Sequence, residues 1–173
     1  MKALIALLAL TAPALADTAG RFDYYVLSLS WSPSWCDAQG RAQGSEQCDP
    51  GRKLGFSVHG LWPQYERGWP QDCPTTQRDP SRRDTRDMAD TMGTPGLAWY
   101  QWKKHGRCSG LSSRDYFPLT RKAADSVRRP DVLTRLTPDE ARPPQAVQAA
   151  VVDTNPGMPR ARFPVTTTYR LLY

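Results

Sequence analysis

Gly55-Phe56-Ser57-Val58-His59-Gly60-Leu61-Trp62-Pro63 (residues 55–63) begins as a strand and ends as a turn. Phe56 to His59 mixes branched and aromatic side chains, a composition suited to a pleated, part-buried surface. Gly60 and Pro63 then stop it, since glycine brings no side chain to pack and proline no N–H for the ladder. The expectation is a short strand over Gly55–His59 that leaves an imidazole on a rigid end. Upstream, Phe22 to Trp31 is aromatic and branched on both faces, with Tyr25, Leu27, Leu29 and Trp31 on one and Phe22, Tyr24 and Val26 on the other. That pattern predicts a central strand covered on both sides, ended by Pro33.

Downstream, Thr94-Pro95 supplies an N-cap and a first-turn proline, and Gly106 supplies a stop, so Leu97 to His105 should be a helix. On a helix Gln101, Lys104 and His105 stand at i, i+3 and i+4 and share one face. The chain holds only two histidines, His59 and His105. Either one alone is more often a hydrogen-bonding or dipole-complementing residue than a catalyst. Two on regular elements, one beside a lysine and an amide, weigh differently, because acid–base chemistry needs rigid supports.

The N-terminus carries Lys2, an apolar run from Ala3 to Leu10 and the small-x-small triplet Ala14-Leu15-Ala16. This reads as a secretory signal peptide over residues 1–16, too short to span a bilayer. Residues 17–173 then have the usual length of a single domain, expected to be secreted or periplasmic, free of the membrane and monomeric. Cys36, Cys48, Cys73 and Cys108 all lie in that portion, and an even count in an exported chain predicts two disulfides. Structural zinc is the competing reading, but there is no Cys-x-x-Cys pair, so the expectation is no metal and no cofactor. The net charge of +6 suits a polyanionic partner, although many exported proteins are basic for solubility alone.

Elsewhere the pattern is structural. Trp35 to Arg52 reads as a polar loop that the first two cysteines can close, and Pro70 to Asp90 as a charged surface loop without apolar periodicity. Helices are expected around Thr120–Arg129 and Gln145–Asp153, and a closing strand over Phe163–Tyr173.

Cleaving RNA without a metal requires a base for the 2′-hydroxyl proton, an acid for the departing 5′-oxygen, and positive charge over the phosphorane. Two imidazoles and a lysine match those roles.

Phe56-Ser57-Val58-His59-Gly60-Leu61-Trp62-Pro63 and Lys104-His105-Gly106-Arg107-Cys108 together resemble the two signature segments of the ribonuclease T2 family of endoribonucleases. Trp31-Ser32-Pro33 followed by Trp35-Cys36 is similar to the family's opening, so clear similarity runs from about Tyr24 to Leu111. The resemblance implies an α+β fold with an antiparallel sheet packed against helices, and cleavage of single-stranded RNA through a 2′,3′-cyclic phosphate with low base specificity. It also implies roles: His105 as general base, His59 as general acid and Lys104 as the phosphorane's counter-charge. Trp62 would stack on a base, and Gln64 would make a polar base contact. The same resemblance pairs Cys73 with Cys108 and leaves Cys36 with Cys48.

In two places the chain departs from the pattern. Tyr100 and Gln101 stand where the family usually carries His-Glu. Gln101 is expected to donate an amide hydrogen bond to phosphate in place of the carboxylate, and Tyr100 to offer a hydroxyl to substrate. An active enzyme slower than typical members is the expectation, and a catalytically weakened RNA- or polyanion-binding protein on the same fold is the alternative. Asn155-Pro156-Gly157 resembles the family's Asn-Pro-Gly turn, but no further cysteine follows it.

Overall fold

The structure, a computed structural model, describes residues 17–131 and 142–157. The expected signal peptide and the expected closing strand over Phe163–Tyr173 lie outside the described residues.

Strand β1 (Tyr24–Trp31) pairs antiparallel with β2 (Phe56–Gln64). The second strand is longer than its sequence suggested, running through Gly60 and Pro63 rather than stopping before them. The reason is a register shift: Ser28 pairs with Gly60 but Leu29 pairs with Val58, which leaves His59 as the extra, unmatched residue of a bulge. Among the described residues β1 pairs only with β2. Tyr24 is exposed and the rest of its side chains are partly buried, with Tyr25, Leu27 and Leu29 packed against the core.

Pro33 ends β1 and sits in the first turn of α1 (Ser32–Trp35). The loop expected over Trp35–Arg52 instead winds into a wide helical turn at Cys36–Gly40 and a 3-10 turn at Glu46–Cys48, joined by the Cys36–Cys48 disulfide. A buried polar chain fastens this region to the sheet. Gln47 Nε2 donates to Ser32 Oγ at 2.9 Å, and Ser32 Oγ donates to Ser57 Oγ at 3.1 Å.

The last part of the loop expected over Pro70–Asp90 is helical. Ser81 accepts from the backbone N–H of Asp84 while the Asp84 carboxylate accepts from that of Ser81, a capping box that starts α2 (Arg82–Asp87). The short α3 (Ala89–Met92) follows, and Met88 and Met92 are buried. The charged stretch hid these two anchors because they are too few for a periodic signal.

Helix α4 (Pro95–Lys104) follows its sequence signals, with Thr94 Oγ1 accepting from Leu97 N at 3.0 Å and proline in the first turn. His105 is its C-cap, and a 3-10 turn over Gly106–Ser109 follows. Helix α5 (Ser113–Asp125) begins earlier and ends earlier than the span expected over Thr120–Arg129. Its Tyr116, Phe117, Thr120 and Ala124 form the buried face, which outweighs the backbone bond lost at Pro118. Helix α6 (Pro144–Thr154) agrees with the span expected from Gln145 to Asp153. Asn155 fastens its end to the chain after α5, accepting from Arg128 N and donating to Arg128 O, both at 2.8 Å.

The core lies between the sheet and the helices. Val58 and Leu61 of β2 meet Met88, Met92, Ala98 and Trp102 on one side and Tyr116, Phe117 and Ala124 of α5 on the other. Tyr116 reaches through it, its hydroxyl donating to Leu61 O at 2.6 Å. The Cys73–Cys108 disulfide closes the second of the two implied pairings.

Candidate active site

The bulge decides where His59 points. On an unbroken strand His59 would share a face with Leu61, because side chains alternate with a period of two. Instead Val58 and Leu61 both enter the core. His59 is left on the outer face, where its ring meets Trp62 edge-on with 5.7 Å between centroids. Ser30 on β1 steadies it from across the sheet, with 3.4 Å between Ser30 Oγ and His59 Nδ1.

His105 approaches the same indole from the other element. Its ring lies 5.2 Å from that of Trp62 at an interplanar angle of 34°. Both imidazoles therefore pack against the Trp62 indole, which brings two histidines distant in sequence close enough for the charge of one to act on the other. His105 is only 7% exposed, and its Nδ1 is buried with no hydrogen-bond partner among the described residues.

Gln101 holds the indole. The Trp62 Nε1–H donates to Gln101 Oε1 at 2.7 Å, and Gln101 is 1% exposed. Its carbonyl oxygen is engaged by Trp62, so the side chain braces the stacking residue. The expected donation to phosphate would come from the other end of the amide, Nε2, which this bond leaves unused. Gly60 makes that bond possible, because a Cβ there would lie 2.2 Å from Trp62 Nε1 and 2.4 Å from Gln101 Oε1. Both contacts are far inside van der Waals range.

Lys104, one turn along α4 from Tyr100, places its Nζ 3.4 Å from the Tyr100 hydroxyl and 5.7 Å from the ring centroid. Tyr100 is exposed, on the rim of the site and linked to it through Lys104. Gln64, two residues beyond Trp62 on β2, shares its face by alternation but lies at the strand's end, opposite Tyr24. Of the seven residues singled out from the sequence, the structure thus gathers His59, Trp62, Gln101, Lys104 and His105. It sets Tyr100 and Gln64 at the margin.

Burial lowers the pKa of His59, and the nearby Lys104 charge lowers it further. The same two effects, with His59 itself as a third, bring His105 down to about 4. Among the described residues no carboxylate hydrogen-bonds either imidazole to offset this. At neutral pH both rings are neutral, ready to accept a proton, and the site's fixed charge is the Lys104 ammonium.

Three structural partners escaped the sequence reading. Ser30 and Gly60 matter only through the strand register, which no local pattern reveals. Asp79 is the third. Its carboxylate accepts from Trp102 Nε1 at 3.0 Å and Arg107 Nη2 at 2.7 Å, with Lys103 Nζ 3.4 Å away. Burial alone would raise its pKa, but the hydrogen bonds from Arg107 and Trp102, with the charges of Arg107 and Lys103, lower it. This one carboxylate pins the C-terminal half of α4 and the turn after it. Among the described residues no group of three or more His, Cys, Asp or Glu side chains is arranged to hold a metal ion. No described helix is long and apolar enough to cross a membrane.

Comparison with known proteins follows the same lines. A ribonuclease of Aeromonas hydrophila is 44% identical over 101 residues, which cover 58% of this chain and 44% of that protein. Ribonuclease 3 of Arabidopsis thaliana is 31% identical over 156 residues, covering 81% of this chain and 69% of that one. The chain spans about half the length of most of the curated relatives it matches. Among solved structures, the self-incompatibility associated SF11-RNase of Nicotiana alata superposes with a TM-score of 0.58 at 23% identity, covering 78% of this chain and 74% of that one. It shows the shared α+β fold. The sequence model of the ribonuclease T2 family matches residues 22–154, well past Leu111, where the similarity legible from the motifs fades. With the paired histidine segments on one surface and the match running through α6, the chain belongs to the ribonuclease T2 family.

Proposed function

We propose that this protein is an endoribonuclease that cleaves single-stranded RNA by metal-independent transesterification, leaving a 2′,3′-cyclic phosphate. The observation that carries the reading is the packing of His59 and His105 against the same indole, Trp62, with the Lys104 charge close enough to act on both. His105 acts as the general base on the 2′-hydroxyl. Its depressed pKa keeps it unprotonated in all but acidic solution, as a base must be. His59, protonated, is the acid for the 5′-oxygen leaving group, and Lys104 faces the negative charge that grows on the phosphorane. When the bond between phosphorus and the 5′-oxygen breaks, the proton taken at His105 and the one given by His59 balance.

Trp62 offers a stacking surface to a base beside the scissile phosphate, and because every base has a π-face the preference among bases is weak. Gln64 and Tyr100 lie where a base edge or sugar passing along β2 and α4 would meet them. Export to a secreted or periplasmic location is supported by the Lys2–Ala16 leader pattern and by two disulfides with no free cysteine among the described residues. A single catalytic domain over residues 17–173, acting as a monomer, completes the proposal.

The test is incubation of the purified protein with RNA in the presence of EDTA. Products ending in cyclic phosphate are expected, and cleavage that requires an added divalent metal would overturn the mechanism. Pure binding without cleavage would favour the alternative, a catalytically weakened RNA-binding protein.

A further inference from the structure

Helix α4 carries more than the catalytic stripe. Successive residues of a helix are turned by about 100°, so its side chains form neighbouring stripes, each pairing i with i+4. Gln101 and His105 form one, lining the site. Tyr100 and Lys104 form the next, and Trp99 and Lys103 the one beyond. The fourth, Ala98 and Trp102, is buried in the core.

The two middle stripes have the same construction. Lys104 Nζ lies 5.7 Å from the Tyr100 ring, and Lys103 Nζ lies 5.8 Å from the Trp99 ring. Tyr100 and Trp99 are 42% and 41% exposed. A solvent-facing indole and phenol side by side on one helix are apolar surface left uncovered, each with an ammonium at its face. Core packing explains neither, because the core side of α4 is filled by Ala98 and Trp102. Asp79 accounts for one of the lysines, but it also serves Arg107, so a single carboxylate faces two cations there while Lys104 remains outside its reach. The surface stays positive.

We propose that Trp99 with Lys103 forms an accessory subsite for single-stranded RNA, taking an unpaired base and its phosphate outside the pair of nucleotides that flank the scissile bond. The occupant follows from chemistry and continuity. An aromatic face stacks any base, a lysine beside it meets the phosphate, and alternation of the two is how proteins track a single strand. The Tyr100–Lys104 stripe lies between this subsite and the Gln101–His105 stripe, about 100° around the helix from each. A strand that leaves the catalytic phosphate across Lys104 and continues round the helix reaches Trp99. This proposal rests on the ribonuclease reading above.

The test compares short and long substrates. For Trp99→Ala, KM for a hexanucleotide should rise about 5- to 20-fold, the lower part of what loss of one base stack gives, while kcat/KM for a dinucleoside monophosphate stays within about twofold of the parent. Trp99→Phe should restore most of the hexanucleotide KM. An equal effect on both substrates, or none on the hexanucleotide, overturns the subsite. Affinity for a 2′-deoxy hexanucleotide, followed by intrinsic fluorescence, gives a readout that needs no cleavage. If the parent binds it and Trp99→Ala weakens binding, the subsite stands even where the cleavage mechanism fails. Weakening of inorganic polyphosphate binding to the same degree would show a purely electrostatic effect and overturn the stacking role.

Discussion

The Trp62 indole N–H is bonded to Gln101 Oε1 at 2.7 Å, which joins the residue that both histidines pack against to the helix that ends in one of them. The bond couples β2 to α4 at the site itself. It also gives the glutamine a structural use at the position where the family signature usually has glutamate.

Replacing that amide by a carboxylate, Gln101→Glu, puts negative charge beside two imidazoles whose pKa values the Lys104 charge now lowers. An anion favours the protonated ring, so both histidine pKa values should rise, by about one unit for a partly buried neighbour. Measured kcat/KM against pH should shift its whole profile to higher pH. An unmoved profile would mean that the carboxylate turns away.

Gly60→Ala forces a methyl group into the space of the Trp62–Gln101 bond. Loss of the bond and displacement of the indole should cost about 1–3 kcal/mol of stability. Activity should fall further than that of a surface control of equal stability. Urea unfolding followed by tryptophan fluorescence, with the RNA assay alongside, reads both effects.

Activity should have an acidic optimum. His105, with its pKa near 4, must be unprotonated, which sets the acid limb. His59 must be protonated, and its pKa lies below the usual 6.5, which sets the alkaline limb. The free-enzyme profile of kcat/KM should therefore peak on the acid side of neutrality, above the His105 pKa of about 4 and below the ordinary histidine value of 6.5. Single substitutions His59→Ala and His105→Ala should each lower kcat by roughly 100- to 10,000-fold. A profile still rising through pH 7 would reassign these roles.

Stability should follow the same titration. Below about pH 6.5 the unfolded chain takes up a proton on residue 105 that the folded chain does not, until the pH nears 4. The native state is thus favoured fully above that window and loses about 3 kcal/mol across it on acidification. His105→Gln should flatten this part of the unfolding free energy between pH 7 and 4.5. The depressed carboxylates Asp79, Asp84 and Asp90 act in a lower window, since their ordinary pKa values are already near 4.

Removing the Cys73–Cys108 bridge by paired alanine substitution frees a span of 35 residues and should lower stability by about 3 to 4 kcal/mol. Cys108 follows the His105 turn directly, and Asp72 N donates to Lys104 O at 2.8 Å beside the bridge. A loss of kcat is therefore expected along with the fall in Tm.

Local chemistry alone fixed much of this protein. Thr94, Pro95 and Gly106 bound the catalytic helix because capping and proline effects act within a turn. The i, i+3, i+4 spacing of Gln101, Lys104 and His105 then follows from helix geometry, and the FSVHGLWP segment named the family. What the chain's own pattern left undecided was everything set by pairing across it. Strict alternation would put His59 and Leu61 on one face, and only the offset between Ser28 and Leu29 against β2 lets Leu61 enter the core while His59 stays with Trp62. The vacancy at Gly60, the bracing of Trp62 by Gln101 and the low pKa of His105 likewise depend on residues that become neighbours only when strand meets helix. Register and burial are properties of the packed pair, and neither element encodes them by itself.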